Sequence, residues 1–227
     1  MEGRNYYEAY EDRYRQIHSQ ALRWFSEEPS PIVIQILDRY GIGKNKKILE
    51  IGCGEGRDAR FLLNRGFDVL ATDISSSAIG FCRRENPDRA DRFQVLDCLS
   101  QCLETGFSCI YAIAVLHMLV DDLHRDRFYR FLWEHLEEDG IALIGTMGDG
   151  EMERSSDTAT AFDLQDRIHE QTGRKVQIAG TSCRVVNFGT FEEEIRRNGL
   201  RILEQGMTAV LPDFPVMMYA VVKKQIG

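Results

Sequence analysis

The stretch KKILEIGCGEGRDARFLLNRG, residues 46–66, decides the fold. Its first part is a short apolar run typical of a β-strand, and its last part is typical of a helix that ends at Gly66. Between them, glycine occupies the alternate positions 52, 54 and 56. A strand that passes through glycines into a helix places backbone N–H groups at the carboxyl edge of a sheet, where open α/β folds bind ligands. The stretch therefore predicts a ligand-binding loop in an α/β protein.

Further apolar runs of strand length follow, and most are separated by helical patterns. They are FDVLATD (67–73), RFQVLD (92–97), FSCIYAIAVL (107–116) and GIALIGTM (140–147). Their apolar residues are continuous rather than alternating, which is typical of strands that are buried on both faces. The pattern predicts a parallel sheet that is flanked by helices.

Helix boundaries are marked by capping residues. Ser30 and Pro31 begin one helix, which Gly41 ends, and the serines of SSSAIG (75–80) begin another. The segment DDLHRDRFYRFLWEHLEEDG (121–140) predicts a helix that continues to Gly140, with the arginines of RDRFYR (125–130) on a solvated face.

The C-terminal part changes rhythm after residue 148. Residues 148–189 are polar and predict an insertion with a helix over 158–172 and a strand over 175–186. A helix over 190–199 follows. Two strands, RILEQGMTAVL (201–211) and VMMYAVVKK (216–224), are joined by PDFP and predict an antiparallel pair.

Composition limits the classes of function. A chain of 227 residues with 43% hydrophobic and 28% charged residues is typical of one globular domain. The net charge of −8 argues against nucleic acid as a partner, because such binding needs a basic face. The N-terminal residues lack the apolar core of a signal peptide and no apolar run reaches membrane-spanning length, so we expect a cytoplasmic protein that binds no membrane. The six cysteines lack metal-site spacing, and we expect reduced thiols and no metal.

The glycine spacing distinguishes between ligands. A dinucleotide fingerprint, G-x-G-x-x-G, would need glycine or alanine at position 57, where Arg57 stands, and the third glycine is Gly56 instead. With Glu50 before it, this spacing resembles motif I of the class I S-adenosylmethionine-dependent methyltransferases. Asp73 at the end of the second strand, Asp97 at the end of the third and AVLHML (114–119) at the end of the fourth match later motifs of that family. Together the motifs cover residues 32–224.

The resemblance implies an α/β, Rossmann-like fold: a seven-stranded, mostly parallel sheet with helices on both faces and an antiparallel last strand. It implies S-adenosyl-L-methionine as cofactor, with Asp73 on the ribose hydroxyls, Ile74 against the adenine and Asp97 on the adenine amino group. Arg57 either meets the cofactor carboxylate or pairs with Asp58. The cofactor-binding residues implied in this way are Glu50, Gly52, Cys53, Gly54, Gly56, Arg57, Asp73, Ile74, Asp97, Cys98 and Val115.

Two parts of the chain are candidates for the acceptor side of the reaction. Residues 1–30 predict an aromatic helical segment in which Tyr10, Tyr14 and Trp24 either form a lid or pack as an ordinary amphipathic helix. Residues 31–227 then form the methyltransferase domain, and its insertion at 148–189 is predicted to shape the acceptor pocket through Arg184. His117 is either the general base or part of the wall.

A small-molecule acceptor is expected, because AVLHML replaces the N-P-P-Y-type motif that similar DNA and glutamine methyltransferases carry. The R-D-A-R-F-L continuation of the loop resembles tellurite-resistance and thiopurine-type enzymes. The expected function is in-line methyl transfer from S-adenosyl-L-methionine to that acceptor. A non-catalytic protein that binds S-adenosylmethionine or S-adenosylhomocysteine is the alternative, and a nicotinamide-dependent oxidoreductase is disfavoured by Arg57.

Overall fold

A computed structural model describes residues 4–24, 27–169, 171–210 and 214–225. A seven-stranded sheet in the order β10-β11-β5-β4-β1-β2-β3 forms its centre. The strands are β1 (Lys47–Ile51), β2 (Asp68–Asp73), β3 (Phe93–Val95), β4 (Phe107–Ile113), β5 (Leu136–Met147), β6 (Arg154–Ser155), β7 (Leu164–Ile168), β8 (Lys175–Ala179), β9 (Arg184–Val185), β10 (Leu200–Val210) and β11 (Phe214–Lys224). The helices are α1 (Ala9–His18), α2 (Pro31–Arg39), α3 (Arg57–Asn64), α4 (Ser76–Glu85), α5 (Asp122–His135) and α6 (Phe188–Arg197).

The expected sheet is confirmed. Strands β3, β2, β1, β4 and β5 pair in parallel, while β11 runs antiparallel to both β5 and β10. Every residue of β4 is buried, as the continuous apolar pattern predicts for a central strand. Two separate apolar clusters lie on the two faces of the sheet, one centred on α5 and α6 and the other on α2, α3 and α4. Residues 211–213, which include the first two residues of the predicted PDFP connection, lie outside the described part of the chain.

The helix predicted over 121–140 is shorter than expected. It ends at His135, whose Nδ1 donates to the carbonyl of Phe131 and whose Nε2 accepts from the N–H of Leu103. The chain then passes directly into β5. A Cβ on Gly140 would lie 2.9 Å from the carbonyl oxygen of Phe107, so this glycine permits close strand contact rather than ending a helix.

The prediction that the arginines of residues 125–130 form a solvated face is wrong for Arg125. Its side chain is fully buried and makes two hydrogen bonds to Glu194 of α6, each 2.7 Å long. Its Nη1 also donates to the carbonyls of Leu116 and Leu119. Arg125 therefore holds the segment after β4 against two helices.

The insertion contains strands where a helix was predicted. Residues 164–168 pair antiparallel with 175–179 as the hairpin β7–β8, and of the described residues between 158 and 172 only Thr158–Thr160 are helical, as a 3-10 turn. Gly173 has φ +67°, which suits the tight connection between the strands. Val176 and Ile178 of β8 pack against Ile17 of α1, and this tertiary contact outweighs the local helical pattern. The strand predicted over 175–186 is divided between β8 and β9.

The N-terminal segment lies between the sheet domain and the insertion. We call residues 4–24, which contain α1, and the hairpin β7–β8 together the cap. Arg13 donates to the carbonyls of Ala179 and Gly180, and Gln16 accepts from the N–H of Ala179 at 2.7 Å. None of the helices in the described ranges has the length and apolar character that crossing a bilayer requires.

Candidate active site

A cavity opens at the carboxyl ends of β1, β2 and β4, and we call it the loop cavity. All the residues predicted to bind the cofactor line it except Gly56, and the predicted cap residues Tyr10 and Tyr14 line it as well. Its wall also contains residues that the sequence did not single out for this role, such as Tyr7, Glu55, Asp58 and Met118. The loop cavity therefore brings together side chains from four strand ends and the cap.

The three glycines of the loop adopt a backbone conformation that favours glycine. Gly52, Gly54 and Gly56 have φ values of +72°, +53° and +76°, in the left-handed region. A Cβ on Gly52 would lie 2.3 Å from Cγ2 of Val115, and one on Gly56 would lie 2.9 Å from Sγ of Cys82. Gly52 thus keeps the loop in contact with the end of β4, while Gly56 packs the start of α3 against α4.

Asp73 holds the loop in place. Its Oδ2 accepts from the N–H of Gly54 and its Oδ1 from the N–H of Ser75, both at 2.8 Å. Burial raises the pKa of Asp73 to about 6, although these two hydrogen bonds act in the opposite direction. Each oxygen can accept further hydrogen bonds, so the carboxylate can serve both the loop and a ligand.

Asp97 is less buried and has a similar local role. Its Oδ1 accepts from the N–H of Leu99 at 2.9 Å, and its Oδ2 accepts from Oγ of Ser100 at 2.7 Å. Cys98 follows it in the cavity wall, where burial raises the pKa of the thiol. The turn after β3 therefore presents a carboxylate to the cavity.

A second acidic pair lies beneath the loop. Burial, together with the negative charge of Asp58, raises the pKa of Glu50 well above its usual range. Oε2 of Glu50 is buried and has no hydrogen-bond partner among the described residues. Asp58 itself accepts from the N–H and Oγ of Ser30 at 2.6 and 2.7 Å. Glu50 is thus the carboxylate of this pair with an oxygen to offer a ligand.

Arg57 combines features of both predicted roles. Its Nη2 donates to Oγ of Ser30 at 3.1 Å, and its Nε lies 3.7 Å from Oδ1 of Asp58. It also lines the loop cavity. The ion pair with Asp58 is present, and the position is compatible with contact to a carboxylate ligand.

The cap is attached to the loop cavity at two points. Glu11 of α1 accepts from Oγ of Ser75 and from the N–H and Oγ of Ser77 at the start of α4. Although its burial acts in the opposite direction, these hydrogen bonds lower the pKa of Glu11. Glu55, within the glycine loop, accepts from the N–H of Trp24 and lies 2.9 Å from Nε2 of His18.

The aromatic residues of the cap divide between two cavities. Tyr7 and Tyr14 face the loop cavity, Trp24 faces a neighbouring one, and Tyr10 lines both. Tyr6 instead accepts from the N–H groups of Val120 and Asp121 and does not line the loop cavity. The spacing of Tyr7, Tyr10 and Tyr14 is the sequence signal that identifies the correct face.

The neighbouring cavity lies between α1, the segment after β4 and the insertion, and we call it the cap cavity. His117 lines it and is absent from the wall of the loop cavity. Burial, reinforced by the positive charges of Arg125 and Arg13, lowers the pKa of His117 to about 3. The imidazole is therefore neutral at physiological pH and is a weak base.

Arg184 lies outside both cavities. Its Nη1 donates to the carbonyl of Val120 at 2.8 Å and to Oδ1 of Asp122 at 2.6 Å. The structure therefore does not bring Arg184 to the predicted acceptor side, and its contacts attach β9 to the start of α5.

Residues 49–142, somewhat less than half of the chain, match the family model described as "Methyltransferase domain". A putative methyltransferase of Geobacillus sp. is 26% identical over an alignment of 121 positions, and the match covers 48% of this chain and 45% of that protein. The ribosomal RNA small subunit methyltransferase C of Alcanivorax borkumensis is 32% identical over 53 residues, which are 23% of this chain and 16% of that protein. The chain spans less than half the length of these curated relatives.

The fold is shared more widely than the sequence. The crystal structure of a 1,6-didemethyltoxoflavin-N1-methyltransferase of Burkholderia thailandensis, with 1,6-didemethyltoxoflavin and S-adenosylhomocysteine bound, has a TM-score of 0.72. The likeness covers 97% of this chain and 89% of that one at 16% identity. Residues 49–142 are thus similar in sequence to a methyltransferase domain, and the chain shares the fold of this solved methyltransferase.

Proposed function

We propose that the protein transfers the methyl group of S-adenosyl-L-methionine to a small-molecule acceptor. The observation that carries the proposal is the composition of the loop cavity. A buried carboxylate oxygen of Glu50 has no partner among the described residues, and Glu50 lines the same cavity as Gly52 and Gly54 of the loop. Such a site suits an ammonium group on a short amino-acid tail.

The other groups of the cavity fit the rest of the cofactor. Asp73, Ile74 and Asp97 line the same cavity, and in this proposal the two carboxylates accept hydrogen bonds from the ribose hydroxyls and the adenine amino group while Ile74 contacts the base. Arg57 is placed to meet the carboxylate of the amino-acid tail. The cofactor supplies an electrophilic methyl group on a sulfonium sulfur.

The residues of the chain supply orientation and exclude water. Tyr10 and Met118 line both cavities and so stand where the acceptor would meet the cofactor. Closure by α1 and its tyrosines would hold the acceptor nucleophile in line with the methyl group in a dry site. His117 serves as wall rather than base in this proposal, because its low pKa makes proton abstraction weak.

A small acceptor is favoured by the cap. Tyr7, Tyr10 and Tyr14 of the N-terminal segment line the loop cavity, and the segment is hydrogen-bonded to Ser75 on one side and to Ala179 on the other, so a bulky acceptor would have to displace it. The solved methyltransferase that shares the fold was crystallised with 1,6-didemethyltoxoflavin bound. The net charge of −8 disfavours an RNA acceptor such as that of the ribosomal RNA relative.

Calorimetry and a turnover screen test the proposal together. The full chain should bind S-adenosylmethionine and S-adenosylhomocysteine and give no heat with NAD. Release of S-adenosylhomocysteine should follow with at least one member of a panel of thiols, phenols, amines and chalcogen oxyanions. Binding of NAD alone would overturn the proposal. Tight cofactor binding without turnover on the whole panel would favour the non-catalytic binding protein instead.

A further inference from the structure

The charge balance of the cap cavity is opposite to that of the protein. The chain has a net charge of −8, yet Arg13, Arg154 and Arg167 line this cavity. Within the described ranges, no aspartate or glutamate belongs to its wall. A cavity with several guanidinium groups and no carboxylate attracts negative charge, because its walls concentrate the positive field.

Arg13 carries the strongest part of this observation. It is 8% exposed, and its Nε and Nη2 donate to the carbonyls of Ala179 and Gly180 and to Oγ1 of Thr181. All of these acceptors are neutral, and no described carboxylate pairs with Arg13. Burial lowers the pKa of Arg13, and the charge of Arg167 acts in the same direction. Buried charges in proteins are normally paired with an opposite charge, and no described carboxylate supplies one to Arg13.

The backbone at this point is also unusual. Thr181 has φ +61°, a conformation that β-branched residues rarely adopt and that is costly outside functional sites. This geometry places Oγ1 of Thr181 2.7 Å from Nη2 of Arg13. The strain therefore helps hold the guanidinium at the cavity wall.

A neutral hydroxyl complements the arginines. Ser182 is 1% exposed, and its Oγ has no hydrogen-bond partner among the residues that the structure describes. It belongs to the wall of the same cavity. A buried hydroxyl without a partner costs free energy unless a ligand completes its hydrogen bonds.

We propose that the cap cavity binds an acceptor that carries an acidic group, a carboxylate or a phosphate. Arg13, Arg154 and Arg167 neutralise that group, and Ser182 donates a hydrogen bond to it. The nucleophile lies at the opposite end of the acceptor, towards Tyr10 and Met118, where the two cavities meet. This inference rests on the proposed methyl transfer and adds the chemical class of its acceptor.

Arg154 and Arg167 are the residues to change, because both side chains lie at exposed positions where substitution spares the core. The test variant is the double substitution Arg154→Gln and Arg167→Gln. The matched control is Arg174→Gln, an exposed arginine near the same hairpin that does not line the cavity. The probes are benzoate, phenyl phosphate and the neutral benzamide, titrated calorimetrically into the full chain with and without S-adenosylhomocysteine.

We expect benzoate or phenyl phosphate to bind about ten-fold or more tightly than benzamide, as charge-assisted hydrogen bonds predict. The stronger of the two anions identifies the acidic group. The double variant should lose most of this preference, and Arg174→Gln should keep it. Equal binding of anions and benzamide, absence of anion binding, or a preference that survives in the double variant would each overturn the inference.

The titration of S-adenosylhomocysteine separates this result from the proposed function. The double variant and the Arg174→Gln control should both keep their affinity for S-adenosylhomocysteine, because none of the three substituted arginines lines the loop cavity. A protein that binds S-adenosylhomocysteine but shows no anion preference contradicts only the acceptor class. A protein that does not bind S-adenosylhomocysteine contradicts the methyl transfer itself.

Discussion

The loop cavity and the cap cavity share Tyr10 and Met118 but are built in different ways. The loop cavity consists mainly of residues at the ends of parallel strands, and backbone hydrogen bonds hold its acidic groups. The cap cavity is built from a helix, a hairpin and short connections that meet only after the chain has folded. The first is lined by carboxylates, whereas the second is lined by arginines and depends on contacts between distant segments. The difference suggests that the two cavities receive the two substrates separately.

The largest expected effect tests the rigidity of the loop cavity. Gly52→Ala adds a Cβ 2.3 Å from Val115 at φ +72°, so we expect a loss of about 2–5 kcal/mol in the free energy of unfolding and no measurable cofactor binding. Gly41→Ala is the matched control, since Gly41 has φ +64° and nothing within 4 Å of the added atom. Thermal denaturation of both variants separates the backbone cost from the steric overlap. A Gly52→Ala protein as stable as Gly41→Ala would show that the loop is free to move.

Asp73 provides the next largest effect. Asp73→Asn places an amide against the N–H groups of Gly54 and Ser75, and we expect weaker binding of S-adenosylhomocysteine by about 1–3 kcal/mol. The pKa of about 6 adds a pH dependence, because the proton must leave before both oxygens can accept hydrogen bonds. Affinity in the wild type should therefore be highest above pH 6 and should fall by up to about ten-fold per pH unit below it. Calorimetry from pH 5 to 8 checks this. An affinity of the wild type that does not change with pH would show that Asp73 does not contact the ligand.

The contrast between the two cavities also explains which parts of the fold and of the site are predictable from the sequence. The positions of the glycine loop, Asp73 and Asp97 at the cavity are predictable, because each follows a strand that a local apolar pattern identifies. Parallel pairing then brings the carboxyl ends of these strands to the same edge of the sheet. The hairpin β7–β8 is not predictable from its own pattern, because its apolar support comes from Ile17, Leu22 and Trp24, more than a hundred residues away along the chain. Arg125 was misplaced because its partner, Glu194, lies on another helix.

The cap residues fall between these cases. The tyrosines were identified as candidates, but the face they present is decided by the 3-10 turn at Tyr6–Glu8, which shifts Tyr6 out of the helical register. No sequence pattern identifies Arg13 or Ser182 as a candidate, because the argument for them rests on partners that are missing in the fold: a carboxylate beside Arg13 and a hydrogen-bond partner for Oγ of Ser182 among the described residues. A charge without a counter-charge is a property of the folded structure and is invisible in a local pattern.

The attachment of the cap is expected to have a moderate effect. Glu11→Ala removes the acceptor of hydrogen bonds from Ser75 and Ser77, so we expect the protein to lose about 1–2 kcal/mol of stability. In the Glu11→Ala variant, hydrogen exchange should become faster in residues 4–24, while exchange in the sheet should change less. Asp12→Ala on the same helix is the control, because it removes only ion pairs with Arg4 and Arg15 at the surface. Equal exchange in the two variants would show that Glu11 does not hold the cap closed.

His117 is expected to give the smallest effect on rate, and it tests whether the cap cavity supplies any acid–base chemistry. With a pKa lowered to about 3, the imidazole is neutral from pH 5 upwards, so His117→Gln should reduce kcat by less than about ten-fold and leave the pH profile unchanged. His124→Gln, outside both cavities, is the control. A loss of about a hundred-fold or more in kcat, together with the disappearance of an inflection in the pH profile, would instead make His117 the general base. In that case binding of the acceptor would have to raise its pKa, which an acidic group beside the imidazole is able to do.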